Sequence, residues 1–181
     1  MNAANITWPQ GRYNPGGVSR VLFAFAEDVA TFPTLADPET ATTFESLVLF
    51  AAPILMKSGK SFKEIYCTLE EGEVKSEMVG PRDGKSRENS IEISFPGSEA
   101  AFLGFKAASS NRQMIFAVLE KNRKVRIVGS LNDPAFLETD SETSGKKNAD
   151  GRKTMLMFKA AGATSAPIYH LTIDTLLVPA V

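Results

Sequence analysis

Residues 90–95 read SIEISF and residues 61–70 read SFKEIYCTLE. In the first run Ile91, Ile93 and Phe95 fall on one side, with Glu92 and Ser94 on the other, the period of a half-buried β-strand. The second repeats the device: Ile65, Cys67 and Leu69 face one way, and Glu64, Tyr66, Thr68 and Glu70 the other. One side of each run faces a core, so the chain is expected to be mostly β. Between them, residues 80–89 (GPRDGKSREN) are polar and carry an Asp-Gly turn signal at Asp83 and Gly84, which predicts a projecting loop or hairpin tip.

Upstream, VSRVLFAFA from Val18 sets Val21, Phe23 and Phe25 at period two and predicts another strand. Asp28 to Glu45 mixes Pro33, Pro38, threonines and acids, the composition of a long surface connection. Leu47 to Met56 reads as a buried strand ending near Gly59. Downstream, Pro96 and Gly97 stop the strand and Ser98 is placed to cap a helix. In that helix Ala101, Phe102, Phe105 and Ala108 share one face. QMIFAVLE and KVRIVGS flank the polar link Lys121 to Arg123 and read as an antiparallel hairpin, with Met114 to Leu119 apolar on both parities and hence covered on both faces. TMLMFK and a run from Ile168 supply the last strands.

A chain of 181 residues suits one domain. Residues 1–17, with Pro9, Pro15, Gly11, Gly16 and Gly17, read as an arm; 18–177 form the domain, and 178–181 a tail. Twenty Lys and Arg against 21 Asp and Glu leave a net charge of −1, too little field to hold a polyanion by counterion release. Cys67 is the one cysteine, so no intrachain disulfide forms and a reducing cytoplasm is expected. The start has no apolar stretch behind a basic one, and Pro53 interrupts the longest apolar run, which predicts neither a signal peptide nor a membrane span.

Catalytic chemistry finds little to work with. His170, the only histidine, is expected on a strand face with Thr172 and Asp174, opposite Tyr169, Leu171 and Ile173, as a solvated side chain. One Cys and one His cannot close a zinc site. SGKS at 58–61 lacks the first glycine of a phosphate loop, since position 54 is Ile54. The pairs Glu70 with Glu71 and Glu138 with Asp140 read as surface charge, so no enzyme activity, cofactor or metal is expected. Residues 138–153 form a second polar insertion with segregated charge: Glu138, Asp140 and Glu142 precede Lys146, Lys147, Arg152 and Lys153, a pattern suited to a neighbouring chain. The apolar end DTLLVPAV also needs a cover, and a second subunit is one.

From Gly59 the chain runs GKSFKEIYCTLEEGE, a polar tip, NSIEISFPGSEAAFLGF, the hairpin MIFAVLEKNRKVRIVGSLNDPAFLE and the charged loop SGKKNADGRKTMLMFKAAGATSAPIYHLTI. This order of strand, loop, strand, Pro-Gly, helix, hairpin, long loop and final strands resembles the tail tube proteins of tailed bacteriophages over about two thirds of the chain. The resemblance implies a two-sheet, sandwich- or barrel-like β fold with one flanking helix, whose subunits join as hexameric rings that stack into a tube in the virion tail. Assembly in the bacterial cytoplasm, contacts with tape-measure, sheath or terminator proteins, and DNA passing non-specifically through the lumen are implied with it. Subunit contacts are expected at Pro81, Arg82, Asp83, Gly84, Lys85 and Arg87, at Glu138, Asp140, Glu142, Lys146, Lys147 and Arg152, and at Leu176, Leu177 and Val178. Another tail, baseplate or tail-terminator component of a phage or phage-like injection machine is the nearest alternative. A monomeric ligand-binding β-sandwich, with Trp8, Tyr13 or Tyr66 stacking on a sugar, is the alternative from a different class.

Overall fold

A computed structural model describes residues 4–180; residues 1–3 of the expected arm and 181 of the expected tail lie outside the described residues. In chain order the strands are β1 (Val18–Phe25), β2 (Val29–Thr31), β3 (Leu49–Phe50), β4 (Leu55–Met56), β5 (Lys63–Ile65), β6 (Glu73–Val79) and β7 (Ser86–Pro96). The helix α1 (Ala100–Ser109) follows, then β8 (Met114–Glu120), β9 (Val125–Val128), β10 (Phe136–Thr143), β11 (Lys153–Gly162) and β12 (Ile168–Tyr169). The molecule is mainly β with one α-helix among the described residues. Its strands form a six-stranded sheet ordered β3-β12-β9-β8-β1-β5, a four-stranded sheet ordered β10-β11-β7-β6, and the pair β2-β4.

Strand β8 is apolar on both parities because both of its faces are covered. Met114, Phe116 and Val118 join Val21 and Val128 against Ile91 and Ile93 of β7, Leu156 and Phe158 of β11, and Phe102 of α1. This cluster binds the two larger sheets together; the Phe116 and Phe158 rings lie 4.6 Å apart, and Phe95 stacks on Phe102 at 3.9 Å. On the opposite face Leu22, Ala24, Ile115, Ala117 and Ile127 are covered by Val29, Ile54, Met56 and Phe62 and by Ile173 and Leu176. The connection expected merely to cross the surface thus contributes Val29, with Phe32 and Leu35 packed alongside, to a second core. Burial at ~25 cal/mol per Å² of apolar surface is what recruits it.

Several expectations change. The larger sheets keep open margins, at β3 and β5 and at β10 and β6, so the fold is not a closed barrel. Within residues 61–70 only Lys63–Ile65 is strand; Leu69 and Tyr66 are exposed and Cys67 is half-buried. Residues 66–72 carry the chain from one sheet to the other, with Thr68 N–H donating to the Ser94 carbonyl (2.7 Å) and Glu70 turning at φ 66°. The alternation resumes in β6, where Val74 and Ser76 are half-buried between exposed Glu73, Lys75 and Glu77. Pro53, which has no N–H to give, divides Leu47 to Met56 into a 3-10 turn, β3 and β4.

Helix α1 begins after Glu99 rather than Ser98, without a side-chain cap. It buries Phe102 and Ser109 and half-buries Phe105, while Ala101 and Ala108 point to solvent, because the two large rings dominate the area gained. The last strand stops at Tyr169, and residues 173–177 form a 3-10 helix, so His170 is not on a strand with Thr172 and Asp174. His170 remains exposed, its Nδ1 2.8 Å from the Phe50 carbonyl oxygen.

Candidate assembly surface

Strands β7 and β11 pair along their lengths, from Pro96 with Lys153 to Arg87 with Gly162. Nine residue steps at ~3.3 Å put the ends of this ladder ~30 Å apart. The two polar loops therefore occupy opposite ends of the four-stranded sheet and make no single site.

At one end Pro81, Arg82, Asp83, Gly84 and Lys85 form the β6–β7 hairpin tip, all exposed. Gly84 N–H donates to the Pro81 carbonyl (3.2 Å) and Lys85 Nζ to the Gly80 carbonyl (2.8 Å). Gly80 sits at φ 93°, where an added Cβ would strike the Gly84 carbonyl oxygen, so the sharp tip depends on glycine there. Arg87 lies within β7, half-buried, paired with Met78 and Gly162. Among the described residues Arg82, Asp83 and Arg87 enter no ion pair.

At the other end Lys146 and Lys147 are organised by Asp150, whose Oδ2 accepts both their backbone N–H groups at 3.0 and 2.9 Å. The two ammonium groups are left in solvent beside exposed Arg152, whose carbonyl accepts from Gly97 N–H (3.2 Å). Glu138, Asp140 and Glu142 belong to strand β10 and not to this loop. Asp140 and Glu142 share their parity with Leu156 and Thr154 of β11 and so lean over the inner face. There they hold Lys106 of α1 at 2.8 and 3.1 Å, and the hydrogen bonds that the ammonium donates to Asp140, then to Glu142, raise the lysine's pKa. The acidic row expected to meet another chain is largely spent on the molecule's own helix.

The C-terminal candidates lie on the far face of the six-stranded sheet. Leu176 is 2% exposed and belongs to the second core, Leu177 is half-buried, and only Val178, at 67%, is open. The segment is stitched down by Phe62 N–H to the Leu176 carbonyl (3.0 Å) and by Gly59 and Ala180 N–H to the Ala180 and Lys60 carbonyls (2.9 and 3.1 Å). Arg20 adds a fork onto Glu64 (3.0 and 2.8 Å) and a third contact to Asp174 (2.8 Å). That fork is the main cause of the lowered Glu64 pKa.

Two features were missed in the reading of the sequence. Strand β6 makes one exposed margin of the four-stranded sheet and β10 the other, seven and eight residues long. The alternation in EVKSEMV marked β6, but its polar character hid it. A groove of about 380 Å³ opens where Gly129–Asp133, Ala161–Thr164 and Phe32–Leu35 converge. Its floor includes Asn89, 4% exposed, whose Oδ1 accepts from Ser76 Oγ (2.6 Å) and whose Nδ2 donates to the Thr164 carbonyl (3.0 Å). Residues 4–17, read from the sequence as part of an arm, contain no strand or helix, and Ile6, Trp8 and Tyr13 are exposed.

Among the described residues no three His, Cys, Asp or Glu side chains converge as metal ligands, and no helix is long and apolar enough to cross a membrane. The chain matches no family model, no curated protein and no solved structure.

Proposed function

We propose that this chain is a structural subunit that polymerises with copies of itself, in the manner of a phage tail tube protein whose stacked six-membered rings conduct DNA. The observation that carries the reading is the four-stranded sheet: two long open margins at its sides, and polar loops of different character at its two ends. Open strand edges present unpaired N–H and C=O groups, and a ring covers them by joining one margin to the next. Unlike loops at the two ends suit head-to-tail stacking, a heterologous contact that extends without limit. In this reading the larger sheets act as a sandwich-type unit in a virion tail. Tape-measure, sheath or terminator proteins are the further partners, and a net charge of −1 lets DNA pass without being held.

The test is multi-angle light scattering over a wide concentration range with negative-stain microscopy. Rings or tubes are expected. A closed ring that never stacks moves the assignment to a terminator or baseplate role. A monomer at every concentration removes the proposal and leaves the 380 Å³ groove as the mark of a ligand-binding module.

A further inference from the structure

We infer that the groove beside Gly129–Asp133 receives the N-terminal arm of a second copy of this chain, with Trp8 as the anchor. The inference rests on the self-assembly proposed above and names its contact.

The arm carries Ile6, Trp8 and Tyr13 at 87, 61 and 84% exposure, a concentration of uncovered apolar surface in a segment with no core of its own. Pro9 and Pro15 each fix a backbone angle and so lower the entropy lost when the arm is immobilised. The groove offers the complement. Phe32, Phe50, Ile127 and Leu131 give it apolar walls, and its volume of about 380 Å³ lies in the ~300–1,000 Å³ range of sites that enclose a small organic group. Asp133 at the rim provides a carboxylate for Arg12.

Geometry selects a second copy over the same molecule. The arm departs beside the β8–β9 turn, where Lys121 N–H donates to the Gly17 carbonyl (3.0 Å) and Val18 pairs with Glu120. The groove lies beyond the other end of those strands, past Val128, and β1 alone covers ~23 Å of that separation. Both faces of the intervening sheet are filled by the two cores, so an arm folding back must travel around the outside of its own molecule. Fourteen extended residues reach ~46 Å, enough to enter a neighbour stacked head to tail with no reversal of direction.

Trp8 is the only tryptophan in the chain, so its emission reports this contact alone. In the full-length protein the emission is expected to shift to shorter wavelength in step with light scattering as concentration rises. Trp8→Ala and Leu131→Glu, both at exposed positions and checked for unchanged far-UV circular dichroism, are each expected to weaken association about tenfold or more. Mixing them restores a pair, because the arm of L131E meets the intact groove of W8A, and the sole fluorophore in the mixture shifts. Assembly with unshifted emission overturns the inference while leaving the assembly reading intact. A shifted emission in the dilute monomer means the arm occupies its own groove and also overturns it. A monomer with solvent-exposed Trp8 at every concentration removes both.

Discussion

At the residue scale the buried polar side chains Asn89, Ser94 and Ser109 each have a hydrogen-bond partner, whereas the hydroxyl of fully buried Thr154 of β11 has none among the described residues. A buried hydroxyl left unpaired costs ~1–3 kcal/mol, and valine has nearly the same shape. Thr154→Val is therefore expected to stabilise the fold by about 1 kcal/mol in urea denaturation, and a loss of that size would mean the hydroxyl has a partner. The carboxylates supply a pH dependence. Ser94 and Lys153 lower the pKa of Glu71, Arg20 lowers that of Glu64, and Lys75 that of Glu77. Groups depressed on folding contribute stability above their unfolded pKa of ~4.3 and lose it as pH falls through the folded value. Lys75, Lys106 and Lys159 are raised by their acidic partners, so their contribution is present below ~10.4 and is lost as pH rises through the raised values. A plateau in the denaturation midpoint between these limits is expected, falling on the acid side below about pH 4, with the acid limb shallower in Glu64→Gln. Because these pairs are solvent-exposed, high salt should flatten both limbs.

At the element scale the C-terminal 3-10 segment behaves as part of the core. Leu176 closes the second cluster and its carbonyl is bound by Phe62, whereas Val178 projects into solvent. Leu176→Ala is expected to cost about 2–5 kcal/mol, and Val178→Ala to stay within about 0.5 kcal/mol. Chemical denaturation of the two variants checks this; equal, small effects would return Leu176 to an interface role. The same scale explains why some elements were legible and others not. SIEISF and MIFAVLE could be read because their partners on either side are strands of ordinary length. SFKEIYCTLE was misjudged because its alternation continues past Ile65 while the chain leaves one sheet for the other. Only the hydrogen bond from Thr68 to Ser94, distant in sequence, reveals the change.

At the scale of the whole molecule the two polar loops lie at opposite ends of one sheet, which gives the subunit a polarity. Replacing Gly80–Lys85 by Asn-Gly keeps the Val79 to Ser86 register and closes the hairpin with a two-residue turn. That variant is expected to fold with an unchanged midpoint and to form rings but not long tubes in negative stain. Normal tubes would take the tip out of the stacking contact. The candidate residues, read as one kind of contact, separate into different fates: the tip and the Lys146–Lys147 loop stay open, Asp140 and Glu142 hold Lys106, and Leu176 is internal.

What the chain order alone determined was the β character, the helix after Pro96-Gly97, the hairpin from Met114 to Val128 and the turn at Asp83-Gly84, since periodicity and turn chemistry are local and survive without neighbours. What only the tertiary structure decided was where each apolar face finds its cover. Residues 28–62 and 173–177 lack a clear period because each supplies a few side chains to a shared second core and forms little pairing of its own. The groove shares this origin: its walls come from segments around positions 32, 89, 130 and 163, whose proximity is a property of packed sheets and not of any stretch of sequence.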